Sequence, residues 1–104
     1  AKSERNVVPV VDAGSNFKGV VFINEIRDII FKPEMYDKVN VTDLMFMPDV
    51  SISSNESMES VATKFQKSQH YNIPVVDKGK YIGFVSRARV FSKYRELVKE
   101  FSDD

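Results

Sequence analysis

The chain has 104 residues, 42% hydrophobic and 29% charged, and its 15 basic and 15 acidic side chains cancel. That length supports one compact domain's worth of core, and the balanced charge provides no whole-chain field for nucleic acid or an anionic membrane. The absence of cysteine excludes disulfides, thiolate catalysis and cysteine-ligated zinc, and no apolar run approaches the ~20 residues that span a bilayer.

Val8 to Val11 reads as a short buried strand, because β-branched residues stand on both of its faces. Asp12 to Asn16 has the composition of a turn, and Phe17 to Phe22 is the returning strand of a hairpin. From Asn24 the period becomes helical, with Ile26, Ile29 and Ile30 on one face. Lys32-Pro33 ends that helix, since a residue before proline avoids helical angles. Residues 33–40 read as a polar linker, Thr42 to Met45 as a short turn, and Asp49 to Ile52 as a brief strand.

Ser53-x-x-Glu56 fits a capping box, followed by a helix with Met58, Val61, Ala62 and Phe65 on its apolar stripe. Ile73 to Val76 and Tyr81 to Ser86 form a second hairpin about Lys78-Gly79-Lys80. A final helix from Arg87 to Phe101 carries Val90, Phe91, Tyr94, Leu97 and Phe101 inward, and Ser102-Asp103-Asp104 is a polar end.

These elements contain a repeat. Lys2-Ser3-Glu4-Arg5-Asn6-Val7-Val8-Pro9-Val10-Val11-Asp12 reappears as Lys67-Ser68-Gln69-His70-Tyr71-Asn72-Ile73-Pro74-Val75-Val76-Asp77, and Phe17-Lys18-Gly19-Val20-Val21 as Tyr81-Ile82-Gly83-Phe84-Val85. Two copies of one supersecondary unit follow. The first begins where the middle of the second lies, which predicts a truncated first copy over 1–32, a linker over 33–40 and a complete second copy over 41–104. A surface left uncovered by the missing opening strand and helix predicts a second chain packed against it.

The order strand, helix, strand, strand, helix, with Asn72-Ile73-Pro74-Val75-Val76-Asp77 and then Gly83-Phe84-Val85-Ser86, resembles the CBS domain. Val41-Thr42-Asp43-Leu44-Met45 is similar to the lead-in of such a repeat. The resemblance implies an α+β CBS pair, or Bateman module, of small mixed three-stranded sheets, each covered by two helices. It also implies a cytoplasmic regulatory module that works as a homodimer, beside the membrane transport domain of a larger parent. Tyr36-Asp37-Lys38-Val39 and the ending from Tyr81 to Asp104 resemble most the tails of bacterial CLC-type chloride channel proteins. That likeness places the module on the cytoplasmic side of the inner membrane.

The ligand implied by the resemblance is an adenine nucleotide: AMP, ADP or ATP. Family members that bind one present a Ser or Thr ending the last strand and an Asp three residues on. Here the second copy has Ser86 and Arg89, and the first has Phe22 and Glu25. Arg89 can pair with phosphate but cannot accept from a ribose, because guanidinium only donates. As a single arginine it reads first as a solvated helix-start charge, whereas Glu25 can reach a diol or equally be a charge favouring its first helical turn. The pocket walls would be Ile52, Tyr71, Ile73 and Pro74 in the second copy, and Val8 and Pro9 beside Glu25 in the first; Tyr71 could stack on a base or simply pack.

Outside the resemblance, little points to chemistry. His70 has no partner at ligand spacing, and Glu56 with Glu59 reads as helix solvation. The serines from Ser51 to Ser60 lack a general base, and Arg87, Arg89, Lys93, Arg95 and Lys99 read as a charged outer face. No catalytic residue, metal or nucleic-acid partner is expected, so the chain is not read as an independent enzyme. Two other readings remain: a ligand-free dimerisation module, and a regulatory insert of a metabolic enzyme.

Overall fold

The computed structural model describes residues 6–102. The Lys2–Arg5 part of the repeat, the Asp103-Asp104 end and the inward role read for Phe101 lie outside what is described. The elements are β1 (Val7–Val11), β2 (Phe17–Phe22), α1 (Ile23–Ile30), a single 3-10 turn (Pro33–Met35), α2 (Val41–Leu44), α3 (Met58–Ser68), β3 (Asn72–Asp77), β4 (Lys80–Ser86) and α4 (Arg87–Ser102). They divide into two compact units. One runs to Asp49 and includes Gly79–Tyr81; the other is Val50–Lys78 with Ile82 onward.

In the first unit β1 and β2 form an antiparallel hairpin, with Val8 opposite Val21, Pro9 opposite Val20 and Val10 opposite Gly19. Its turn is built on Asp12, whose Oδ1 accepts from the amides of Gly14 at 2.9 Å and Asn16 at 3.0 Å. Val20 makes a further antiparallel bridge to Phe46 through bonds of 2.8 and 3.0 Å. The residues before Pro48 therefore supply a third-strand contact to this hairpin, although in sequence they lead into the second copy. The polar stretch after α1 is not slack, since the Tyr36 hydroxyl donates to the Ile30 carbonyl at 2.6 Å.

Gly19 is where that third contact imposes a residue. Its φ is +148°, and a Cβ there would lie 2.7 Å from the Phe46 carbonyl oxygen and 2.8 Å from Met45 Cγ. Gly83, its counterpart in the second copy, has no atom within 4 Å of the same position.

In the second unit β3 pairs with β4, and Ile52 makes a parallel bridge to Val75 on the far side of β3. The expected third strand is reduced to that one bridge, closed by Ile52 N–H to Pro74 O at 2.9 Å and Val76 N–H to Ile52 O at 2.8 Å. Ile52, Val61, Ala62, Phe65, Ile73, Val75 and Val90 form one core, with Phe65 and Ile73 at 0% exposure. Burying two such side chains contributes about 1.5–3 kcal/mol each. The structure corrects the expected helix start. Ser57, not Ser53, caps α3, accepting from the Ser60 amide at 3.1 Å, and Gln69 ends the helix in the left-handed region at φ 60°. Ser53 and Glu56 instead close a turn before the helix.

The two glycines predict opposite responses. Gly19→Ala should destabilise the protein by more than about 1 kcal/mol, because an alanine there has neither the space nor the angle. Gly83→Ala should stay within a few tenths of a kcal/mol (roughly ±0.5 for a substitution without contacts). Urea midpoints of the two variants, read by circular dichroism, check this.

Candidate functional site

Three of the expected site residues lie at or beside the open end of the second hairpin, Tyr71 just before β3, Ser86 at the end of β4 and Arg89 in the first turn of α4. The Arg87 amide donates to the Tyr71 carbonyl at 2.8 Å, drawing the start of β3 to the end of β4. Ser86 ends β4, and its Oγ accepts from the Arg89 amide at 3.2 Å, the pattern of a helix cap. The Ser86 hydroxyl retains a proton to donate, while the exposed Arg89 carries its charge one turn away. Tyr71 is 38% exposed at the same end. A hydroxyl donor, a guanidinium and an aromatic ring are the groups that could hold a phosphate and a flat base.

Ile73 and Pro74, expected as pocket walls, are wholly buried instead. β3 is the middle strand, flanked by Ile52 on one side and β4 on the other, and its apolar residues are taken up by the core. Of the expected residues only Ile52 lines the cavity of about 320 Å³ found in this unit. Met58, Val61, Val75, Val85 and Val90 complete its apolar wall, and Ser53, Ser54 and Glu56 supply its polar side.

That polar side is held by residues whose roles were not legible in sequence. Asp77 accepts from the Ser54 amide at 2.9 Å and from the Ser54 hydroxyl, and these bonds hold its carboxyl below the usual carboxylate range. Glu56 is an anchor and not the solvating surface charge expected. Its carboxylate lies 2.9 Å from Lys64 Nζ and accepts from the Ser60 hydroxyl and, at 3.1 Å, from the Ser53 amide. Burial pushes its carboxyl up, but the bonds from Ser60, Lys64 and Ser53 outweigh this and leave it below its usual value. Lys64 also donates to the Ser51 carbonyl at 2.8 Å.

Arg87 separates from the basic run in which it was read. Its guanidinium donates to the Phe65 carbonyl at 3.0 Å, among the last carbonyls of α3, and lies 5.7 Å from the Phe91 ring centre. Sequence spacing could not single it out, because its partners come from α3 and from the next turn of α4.

The first copy does not assemble an equivalent site. Val8 and Pro9 are half-buried in β1, and Glu25 is exposed in the first turn of α1. Phe22, at the position of Ser86, offers no side-chain cap to α1, and its ring packs 5.1 Å from that of Phe46. Among the described residues no group of His, Asp and Glu could hold a metal ion, and no helix is long and apolar enough to cross a membrane.

The CBS domain family model matches residues 41–96, more than half of the sequence. The chain belongs to the CBS domain family. Solved structures agree on the CBS-pair fold. One is CBSX2 in complex with AMP, 23% identical, with 92% of this chain covering 75% of that one at a TM-score of 0.68. Another is the CBS domain of a CBS domain containing membrane protein from Sphaerobacter thermophilus, 23% identical, with 84% covering 67% at 0.61. A third is the soluble part of a magnesium transporter, 21% identical, with 89% of this chain covering 34% of that one at 0.68. No curated protein sequence matches this CBS chain.

The lowered Glu56 and Asp77 carboxyls fix the sign of the acid response of this CBS unit. As pH falls, the unfolded chain binds protons first, so the stability these groups supply is complete above the ordinary values of 4.5 and 3.8. It is lost as pH drops through the still lower folded values. Urea midpoints should hold steady down to about pH 5 and fall below it, and Glu56→Gln should flatten that fall while lowering the midpoint at pH 7. An identical acid slope in the variant would remove Glu56 from this account.

Proposed function

We propose that this chain is a ligand-responsive regulatory CBS module of a membrane ion transporter, and that the transporter is of the chloride-channel type. The observation that carries the ligand half is the placement of Ser86, Arg89 and Tyr71 at one end of the second hairpin. That group suits an adenine nucleotide bound through its phosphate and base, with little hold on the ribose, since Arg89 replaces the expected carboxylate. AMP in CBSX2 supports the ligand class, and the magnesium transporter and the membrane protein from Sphaerobacter thermophilus support the attachment. The module would act without catalysis. Ligand and packing would bias the state of the attached membrane domain, with two copies pairing and the module on its cytoplasmic side.

The Tyr36-Asp37-Lys38-Val39 segment and the chain's final stretch are the support for the chloride-channel assignment. A specific observation favours a second reading, a ligand-free dimerisation element. Phe22 occupies the hydroxyl position of the first copy and spends its ring on Phe46.

Calorimetric titration with AMP, ADP and ATP separates the two. The regulatory reading expects saturable heat that strengthens with phosphate count, and a 10- to 100-fold loss in Arg89→Ala, matching the ~1.5–3 kcal/mol of one hydrogen bond to a charged group. Ser86→Ala should weaken binding too and cost about 1 kcal/mol of stability through the lost cap. No heat with any of the three nucleotides would leave the dimerisation element standing.

A further inference from the structure

A cavity of about 320 Å³ opens into the core of the second unit, and none of Tyr71, Ser86 and Arg89 lines it. Its polar rim lies by the Asp77 end of β3, where Ser54 is held, whereas Tyr71 precedes the other end of that strand. The walls explain why the space exists. Val61 of α3, Val75 of β3, Val85 of β4 and Val90 of α4 line it with Ile52, and all four are the shortest of the branched aliphatic residues. Well-packed interiors hold few voids larger than a water molecule, so a space of this size among core side chains marks a site. Ser54 and Met58 are exposed and stand at its mouth, and a flexible thioether chain adapts to whatever lies beside it.

The rim decides the chemistry of the occupant, because its donors are already engaged. The Ser53 amide donates to Glu56 Oε1 at 3.1 Å, and the Ser53 hydroxyl to Asn55 Oδ1 at 3.0 Å. The Ser54 amide and hydroxyl both donate to Asp77, and the Glu56 amide donates to the Ser53 carbonyl at 3.1 Å. What these three residues retain is acceptor capacity, in hydroxyl lone pairs and a carboxylate. The ligand has to bring the proton. Charge narrows the choice further. Lys64 Nζ stands 2.9 Å from the Glu56 carboxylate, so an incoming ammonium would be set against Lys64 and an incoming acid against Glu56. A neutral donor meets neither penalty.

We propose that this cavity binds a small neutral molecule with an apolar body and a single hydrogen-bond-donating head, of the class of the aromatic alcohols. The body lies against Ile52 and the four valines, and the head donates to the acceptors of the Ser53, Ser54 and Glu56 rim. An apolar cavity of ~150 Å³ holds benzene, so the space here takes one ring with a short arm reaching the rim. The site shares no residue with the Ser86, Arg89 and Tyr71 group, and its test is independent of nucleotide binding.

The test titrates the full chain, methyl-labelled for NMR, with benzyl alcohol and with toluene, benzylamine and benzoate as matched probes. Saturable shifts at the methyls of Val61, Val75, Val85 and Val90 are the expected result, with the alcohol at least tenfold tighter than each of the other three. Val61→Leu extends a side chain into the cavity. It should weaken benzyl alcohol at least tenfold while the urea midpoint holds or rises, because a filled void packs better. Val75→Ile fills the space from the strand side and decides the matter if Val61→Leu fails to fold. Three outcomes overturn the proposal: no saturable shift at these valines with benzyl alcohol, any of the other probes binding as tightly as the alcohol, or a folded, cavity-filled variant that binds the alcohol as the parent does.

Discussion

Closure of α3 over Ile73 is the contact on which the second unit depends. Phe65 and Ile73, with Pro74 beside them, are wholly removed from solvent there, and the surrounding features serve to hold them together. Ile52 bridges the far edge of β3, Val90 of α4 packs onto the same core, and Arg87 ties the Phe65 carbonyl to the start of α4. The Phe65 carbonyl already accepts from the Gln69 amide at 3.0 Å, and this guanidinium adds a second, charge-assisted bond to it while resting near Phe91. The same residue sets the open end of the hairpin, because its amide bonds Tyr71. The candidate ligand groups therefore inherit their position from the core.

The two copies show how one framework residue acquires different work when its surroundings change. Asp77 fastens an incoming segment, while Asp12 builds a turn. Gly19 is demanded by the backbone of Phe46 at its side, and Gly83 by nothing nearby. Ser86 caps a helix with the hydroxyl that could meet a phosphate, and Phe22 fills the same place with a ring. Repetition of letters is thus repetition of backbone geometry, and side-chain function follows from whichever neighbour is present.

Much of the fold was legible along the chain, because short-range pattern carries it. Runs such as Val7–Val11 and Asn72–Asp77, and the Val61, Ala62, Phe65 stripe, announce strand and helix through properties local to each segment. The capping of α3 was misread for a local reason also. Ser53 with Glu56 and Ser57 with Ser60 are both chemically able to cap, and only the backbone's turn after Ser53 decides between them. The site was less legible. Ile73 and Pro74 read equally well as pocket wall or core, since burial is set by what packs on β3 and not by β3 itself.

The sequence by itself determined the repeat, the order of elements, the family and the uneven survival of the ligand positions, since these are matters of residue identity and spacing. Only the tertiary structure decided that Phe46 bonds to Val20, that Glu56 is an anchor, that Arg87 leaves the charged face, and that Ile73 and Pro74 belong to the core. Each of these depends on residues distant in the chain coming within a few ångströms. Periodicity and composition do not encode such distances, which arise from the packing of whole elements.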